Sequence, residues 1–290
     1  METRGETTVQ RGNGKGILPP RPALFGVLNI TTDSFSDGGK YLDSGLALDK
    51  ARSLIVEGAD VIDIGAQSSN TAAGLVDPDL EWARMETIIR ALKKEGIPIS
   101  IDSFKPSVIR RALDFGVDYI NHIKGFTDPE SLELVRRASD KSVKFIAMYS
   151  QDHGDKANEN SPLTPETVIE KVLEFFRERR QAFAEYGISG DRLILDPGMG
   201  FFLSPDYRVS FSVISSIKDV LNEFPNLMVS VTKKSFLGNG LGGLSVEERE
   251  IPTAVSELFL WLQGVPFLRT HSPSSFLKAM RTWELSNGKY

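Results

Sequence analysis

The 290-residue sequence predicts an α/β fold, a single (β/α)8 TIM barrel. Three observations carry that expectation. Short apolar runs bounded by turn residues alternate eight times with segments of 3.6-residue periodicity, the pattern of parallel strands buried on both faces. The length suits a barrel of roughly 250 residues with a tail. Polar side chains also stand at the carboxyl end of every apolar run, where barrel strands converge on one mouth. An open doubly wound sheet is the runner-up, because alternation alone does not prove closure.

In chain order, Met1–Pro20 is polar and glycine-rich, without the apolar run of a secretory signal. It is expected to be a flexible tail ahead of a barrel domain at 21–290, with the cytoplasm as the default address. Strands are expected at Ala23–Leu28, Ala59–Ile64, Pro98–Ile101, Val117–Ile120, Ser142–Met148, Leu193–Leu195, Leu227–Val231 and Val265–Leu268. Amphipathic helices are expected at Leu46–Glu57, Leu80–Glu95 and Val168–Tyr186. Pro106 sits at a first helical position, where a missing N–H costs nothing, and Thr164-Pro165-Glu166 should open the longest helix in the same way. Ser150–Leu163 lacks apolar periodicity and reads as a long polar loop. Leu237–Leu244 reads as a glycine-rich loop after the seventh strand.

Composition narrows the function. Hydrophobic residues at 40% and charged residues at 25% suit a soluble protein with a large core. Thirty-four Lys and Arg against 39 Asp and Glu give a net charge of −5, which argues against nucleic acid or an anionic membrane as the main partner. The absence of cysteine excludes a disulfide framework, a thiolate nucleophile and thiolate metal sites. No run approaches the ~20 apolar residues of a membrane span. Neither a GxGxxG turn after an opening strand nor a GxxxxGK[ST] loop occurs where a nucleotide fold needs it.

The strand ends carry the chemistry. Strand one runs into Asn29, strand two ends in Asp63, strand three at Asp102-Ser103 and strand four at Asn121-His122. Strand five ends at Tyr149-Ser150, strand six in Asp196-Pro197-Gly198, strand seven in Lys233-Lys234-Ser235 and strand eight in Arg269-Thr270-His271. Taken singly, each has an ordinary reading. Asp102 could cap a helix, Asp196-Pro197-Gly198 is a ready turn, and Lys233-Lys234 could be a solvated pair. His271 could be a satisfied core histidine. Together they divide into two chemistries. Asp102, Asn121 and Asp196 suit a flat heterocycle rich in N–H donors, whereas Asn29, Arg269 and His271 suit a metal-bound anion such as a diphosphate. Lys234 lies between the two groups in chain order.

At these positions the sequence resembles the dihydropteroate synthases. The matching runs include Gly26–Gly39, Gly58–Gly65, Ile101–Ser103, Ile120-Asn121, Leu193–Phe201, Lys234–Gly238 and Arg269–His271, in order across nearly all of 23–285. The resemblance implies condensation of 6-hydroxymethyl-7,8-dihydropterin diphosphate with p-aminobenzoate, releasing diphosphate with the help of Mg2+. It implies that Asp102, Asn121, Asp196 and Lys234 hold the pterin, that Asn29 binds the metal, and that Arg269 and His271 hold the diphosphate. Asp63 and the loops after strands one and two would close over the reacting centre. Ser69, Phe201, Lys234 and Ser235 would line the p-aminobenzoate pocket, and the chain would form a homodimer through its last helices.

The departures are also informative. Asn70 stands where most members carry Arg, His122 where Asp is usual, and Tyr149 where His follows Met. Thr232-Lys233 replaces a Ser-Arg pair, and Phe202-Leu203 replaces Gly-Lys. Asn70 and Phe202-Leu203 look like the sulfonamide-insensitive branch carried on mobile elements. Two alternatives remain at this stage. One is a pterin-binding methyltransferase, which has no need of Arg269-Thr270-His271. The other is a non-catalytic pterin-binding barrel, motivated by His122 and Tyr149 read as neighbours of the pterin floor.

Overall fold

The computed structural model describes residues 18–30, 44–67, 74–138, 142–151 and 161–289. The strands are β1 (Ala23–Asn29), β2 (Val61–Gly65), β3 (Ile99–Asp102), β4 (Tyr119–His122), β5 (Lys144–Met148), β6 (Leu193–Asp196), β7 (Met228–Val229) and β8 (Phe267–Thr270). The helices are α1 (Ser44–Val56), α2 (Pro78–Lys94), α3 (Pro106–Phe115), α4 (Pro129–Arg137), α5 (Val168–Glu185), α6 (Tyr207–Ser215), α7 (Ile217–Glu223), α8 (Ser235–Gly240), α9 (Glu250–Gln263) and α10 (Pro273–Ser286).

Every pairing between neighbouring strands is parallel, in the order β6-β5-β4-β3-β2-β1-β8-β7. A parallel bridge from Leu195 to Leu227, with the Leu195 N–H bonded to the Asn226 carbonyl at 3.0 Å, joins the two ends. The order runs once round a ring without reversal. That eliminates the doubly wound sheet, whose order reverses at a switch point.

Two apolar layers hold the ring. Phe25, Val61, Ile146, Ile194 and Met228 meet inside the lumen and plug its lower end, with Tyr119 and Phe267 against them. The larger cluster lies between strands and helices. Side chains alternate along a strand, so the residues two positions beyond this plug also face the lumen, nearer its upper end. There the sequence turns polar.

Helix ends follow local chemistry. Asp77 caps α2 by accepting the N–H groups of Asp79 and Leu80 at 2.9 and 3.3 Å, and Asp128 caps α4 through Ser131 N–H at 2.8 Å. Pro106 begins α3 as expected. At Gly116, φ of 77° closes that helix in the left-handed conformation.

Two expectations are corrected. The longest helix begins at Val168, where its periodicity begins, and is not opened by Thr164-Pro165-Glu166, because the Thr167 hydroxyl takes the Thr164 N–H at 3.0 Å and holds a separate turn. Leu237–Leu244 is not wholly a loop, since its first half belongs to α8. Its glycines serve close packing: a Cβ at Gly238 would stand 2.7 Å from the Leu244 carbonyl, and one at Gly240 would stand 2.8 Å from the Phe211 ring. Residues 1–17 of the expected tail, 31–43 after β1, Ser69 and Asn70, and 152–160 of the polar loop lie outside the described residues.

Candidate active site at the barrel mouth

Four strands bring the central cluster together. Arg269, on β8, donates from Nε to Asp63 Oδ2 at 2.6 Å and from Nη2 to Asp102 Oδ2 at 2.7 Å. Asn121, on β4, donates from Nδ2 to the same Asp63 oxygen at 3.4 Å. One guanidinium thus joins β2, β3 and β8, and the planar fork of Arg suits this two-carboxylate grip.

Asp63 does not stand at the mouth. It is wholly buried beneath Arg269, and its Oδ1 has no hydrogen-bond partner among the described residues. Its place is under the site, where it orients the arginine. Asp102 does not cap α3, whose cap position is Lys105. Its side chain keeps 22% of its surface exposed and faces the opening.

Asp196 sits at the end of β6, buried, with Oδ1 accepting the Gly198 N–H at 2.8 Å. The ready turn read from Asp196-Pro197-Gly198 is therefore real, and the same carboxylate faces the cluster. Gly198 is required there. Its φ is +66°, and a Cβ would stand 2.2 Å from the Tyr149 carbonyl oxygen.

Lys233 and Lys234 part company. Lys233 adopts a left-handed φ of 53°, rare for a side-chain-bearing residue, and its backbone is clamped on both sides. Its N–H donates to Thr253 Oγ1 at 3.0 Å and its carbonyl accepts from Arg249 Nη1 at 3.1 Å. This kink turns Lys234 inward across Gly200, where its ammonium lies 5.2 Å from the centre of the Phe202 ring.

The remaining donors lie on the rim. His271 Nδ1 is 3.0 Å from Thr232 Oγ1, and its Nε2 is 3.5 Å from Asn29 Nδ2, at the exposed end of β1. Phe201 is 36% exposed on the turn after β6, beside buried Phe202. Ser235 opens α8 directly after Lys234. Ser69 lies outside the described residues.

Charges are strongly coupled here. Burial pushes Asp196 up to about 6, against the Gly198 N–H and the charges of Lys234 and Arg269. Burial also pushes Asp102 above the usual carboxylate range, opposed first by Arg269. Lys234 is pushed down to about 8, by burial and then by Arg269. For Arg269, burial works against the charge, but Asp63 and Asp102 outweigh it and hold the guanidinium above its ordinary value. His271 is pushed down to about 3 by burial and by Arg269, so its ring is neutral at pH 7. Asp102 and Asp196 each feel both Lys234 and Arg269, which marks one electrostatic unit rather than two separate halves.

Two departures noted in the sequence point away from this unit. His122 is completely buried on the helix side of β4, with Nδ1 accepting the N–H groups of Lys124 and Phe126 at 3.2 and 3.3 Å and Nε2 3.1 Å from Ser131 Oγ. Tyr149 packs on Phe175 of α5 at 5.3 Å between ring centres. Neither borders the floor of the mouth, so the motive for a non-catalytic barrel falls away. Sequence reasoning missed the parts played by Thr232 and Phe202. Strand alternation could have found Thr232, two residues beyond Ser230 on the lumen face. Nothing in the sequence pairs Phe202 with Lys234.

A family model described as "Pterin binding enzyme" matches residues 25–271. The chain is 40% identical over 262 residues to a dihydropteroate synthase type-3 of Escherichia coli, covering 89% of this chain and 97% of that relative. A crystallised dihydropteroate synthase from Xanthomonas albilineans with 4-aminobenzoic acid superposes with a TM-score of 0.81 at 29% identity, over 92% of this chain and 93% of that one. The Anaplasma phagocytophilum dihydropteroate synthase with bound 6-hydroxymethylpterin-monophosphate gives a TM-score of 0.77 at 31% identity, over 91% and 98%.

Proposed function

This chain belongs to the pterin-binding enzymes and is a transferase of the dihydropteroate synthase kind; from that premise we propose that it condenses 6-hydroxymethyl-7,8-dihydropterin diphosphate with p-aminobenzoate. The observation that carries the proposal is the gathering of Asp102, Asn121, Asp196, Lys234 and Arg269 round one mouth.

In this reading Asp102, Asn121 and Asp196 bind the N–H-rich edge of the pterin, and Lys234 lies over its other side. The arylamine nitrogen attacks the exocyclic methylene carbon, the C–O bond to diphosphate breaks, and the amine proton passes to solvent. The electron-rich ring delocalises positive charge that develops at the methylene, which the two carboxylates favour. No unusually strong base is needed, because the arylamine is neutral at pH 7. Arg269 and His271 stabilise the departing diphosphate with donors already in position. Asp63 serves the reaction through Arg269, as a positioning residue.

A divalent cation fits the donor set modestly. With its amide nitrogen toward His271, Asn29 has its carbonyl oxygen left for a hard cation. Among the described residues there is no cluster of three acidic or histidine ligands, so Mg2+ would rely on diphosphate oxygens and water for its other ligands. When bound, it would supply Lewis-acid stabilisation to the leaving group.

The arylamine end is assigned to Phe201, Ser235 and Ser69. The Phe202-Leu203 pair and Asn70 support a pocket that admits p-aminobenzoate and binds sulfonamides poorly. Exposed Ile251, Val255 and Phe259 lie at helical spacing on α9, which packs against α10 with its exposed Trp283, and support a homodimer through the last helices. No helix among the described residues is long and apolar enough to cross a membrane, and we assign the chain to the cytoplasm.

The deciding experiment is diphosphate release by the purified protein with pterin diphosphate, p-aminobenzoate and Mg2+. Release dependent on both substrates is expected, and its absence would remove the proposal. A sulfonamide inhibition constant far above the KM for p-aminobenzoate is expected; comparable values would sink the resistance reading. A Val255→Asp variant should sediment as a monomer where the parent is a dimer.

A further inference from the structure

We propose that Arg249 and Thr253 are positioning residues: together they hold the backbone of Lys233 in a left-handed turn and so aim Lys234 into the mouth. The inference rests on the pterin diphosphate reading given above, in which Lys234 lies over the substrate, and deepens it.

The chain leaves β7 through a tight turn. The Lys234 N–H donates to the Val231 carbonyl at 3.3 Å, which makes Lys233 the third residue of that turn. Its φ of 53° is one that glycine or asparagine ordinarily supplies at this position. A Cβ in that conformation crowds the following carbonyl oxygen, so the turn needs support from outside itself.

The support comes from the start of α9. The buried Thr253 hydroxyl accepts the Lys233 N–H at 3.0 Å, and Arg249 Nη1 donates to the Lys233 carbonyl at 3.1 Å. The two residues stand four apart, about one helical turn, so they reach the same side. The guanidinium also fastens the far end of α8. Its Nε and Nη2 both donate to the Leu244 carbonyl, at 3.1 and 2.9 Å, so one side chain bridges the main chain before and after that helix. The planar fork of Arg can grip two carbonyls at once in this way. Gly238 makes room for it: a Cβ there would stand 2.7 Å from Arg249 Nε.

With residue 233 held left-handed, the extended backbone of Lys234 carries its ammonium inward, to 5.2 Å from the centre of the Phe202 ring. An ordinary negative φ at 233 would rotate the chain beyond it and take the ammonium elsewhere. Arg249 and Thr253 thus act on the substrate through the main chain.

The test combines crystal structures of substrate-free, full-length variants with steady-state kinetics on the same proteins. Thr253→Val keeps the shape and removes the hydroxyl. It should let residue 233 leave the left-handed region, draw Lys234 off Phe202 and lower kcat/KM for the pterin diphosphate about tenfold. Adding Lys233→Gly supplies a positive φ without a clamp. The double variant should return Lys234 to its place and bring kcat/KM to within about threefold of the parent. Arg249→Met should fail and be rescued in the same manner. Lost packing is not repaired by a glycine at 233, so rescue separates positioning from stability. Single variants that keep residue 233 left-handed and Lys234 in place, or double variants without rescue, would overturn the inference. If one single variant does not fold, the other decides; if neither folds, Arg249→Lys, which lacks the fork, decides by the same two measurements. A parent protein inactive toward the pterin diphosphate would overturn the functional reading instead, because the crystal structures hold no substrate and still locate residue 233 and Lys234.

Discussion

Arg269 and Asp63 are joined by a 2.6 Å ion pair that lies beneath the barrel mouth, with the carboxylate wholly out of solvent. The same guanidinium reaches Asp102 at the edge of the opening. A single side chain therefore links a wholly buried carboxylate below to a partly exposed one above. On the proposed reading, Asp102 exchanges its arginine bond for a pterin N–H while Asp63 keeps Arg269 in place.

That division of labour predicts different kinetics for the two ends. Arg269→Ala and Lys234→Ala should each lower kcat/KM by about 10²-fold or more, equivalent to about 2.7 kcal/mol of transition-state stabilisation. Asp63→Asn, which keeps the shape but removes the charge that orients Arg269, should weaken binding of the diphosphate-bearing substrate more than that of p-aminobenzoate. Steady-state kinetics with each substrate varied in turn checks this. Equal effects on both KM values would show that Asp63 does not work through Arg269.

The pH profile of kcat/KM should be bell-shaped. On the proposed reading Asp102 and Asp196 accept from the pterin only as carboxylates; Asp196 is pushed up to about 6 and Asp102 to about 7, so activity should rise through that range as both lose their protons. Lys234 contributes as an ammonium, so activity should fall above about pH 8 as it is deprotonated. Lys234→Arg should keep its charge and move the alkaline limb upward. A limb that stays in place in this variant belongs to another group.

A stability prediction concerns the buried pair behind β3. Lys105 Nζ lies 2.5 Å from Glu81 Oε2 and also bonds the Val76 carbonyl at 2.5 Å and Gln67 Oε1 at 3.2 Å. Glu81→Ala would strand a buried ammonium and should cost about 3–5 kcal/mol in denaturant unfolding. A loss near 0.5 kcal/mol would mean that the lysine escapes to solvent.

Glu257 offers a test of opposite sign. Its carboxyl is buried between α9 and β8, with neither oxygen in hydrogen-bonding geometry, and burial pushes it up to about 8, partly offset by the Thr270 hydroxyl. Between the unfolded value of about 4.3 and about 8, the native state keeps a proton that the unfolded chain has lost. Stability from this group is therefore complete below that window and declines as pH rises through it. Glu257→Gln should remove the decline and be more stable than the parent at pH 8 by an amount on the order of 2–4 kcal/mol. Parallel stability curves for the two proteins would refute this.

How far the sequence reaches is clearest at particular residues. The eight strands were legible because apolar runs between turn residues have few other ways to be buried, and Pro106 marked its helix start through its missing N–H. Asp102, Asn121, Asp196, Lys234 and Arg269 were legible as site candidates because barrel closure puts every strand end on one rim. The helical half of Leu237–Leu244 was hidden because its glycines answer to neighbours distant in sequence, Phe211 and Arg249.

By itself, then, the sequence determined the ring of strands, its family and the polar identity of its mouth, since periodicity and strand-end chemistry are local properties of the chain. Only the tertiary structure decided which groups face one another. It put Asp63 beneath Arg269 rather than over the reacting centre, turned His122 and Tyr149 outward, laid Lys234 across Phe202 and set Thr232 against His271. Partners of that kind come from strands tens to hundreds of residues apart. Their meeting depends on register, lumen width and backbone kinks such as that at Lys233, which no short stretch of sequence encodes.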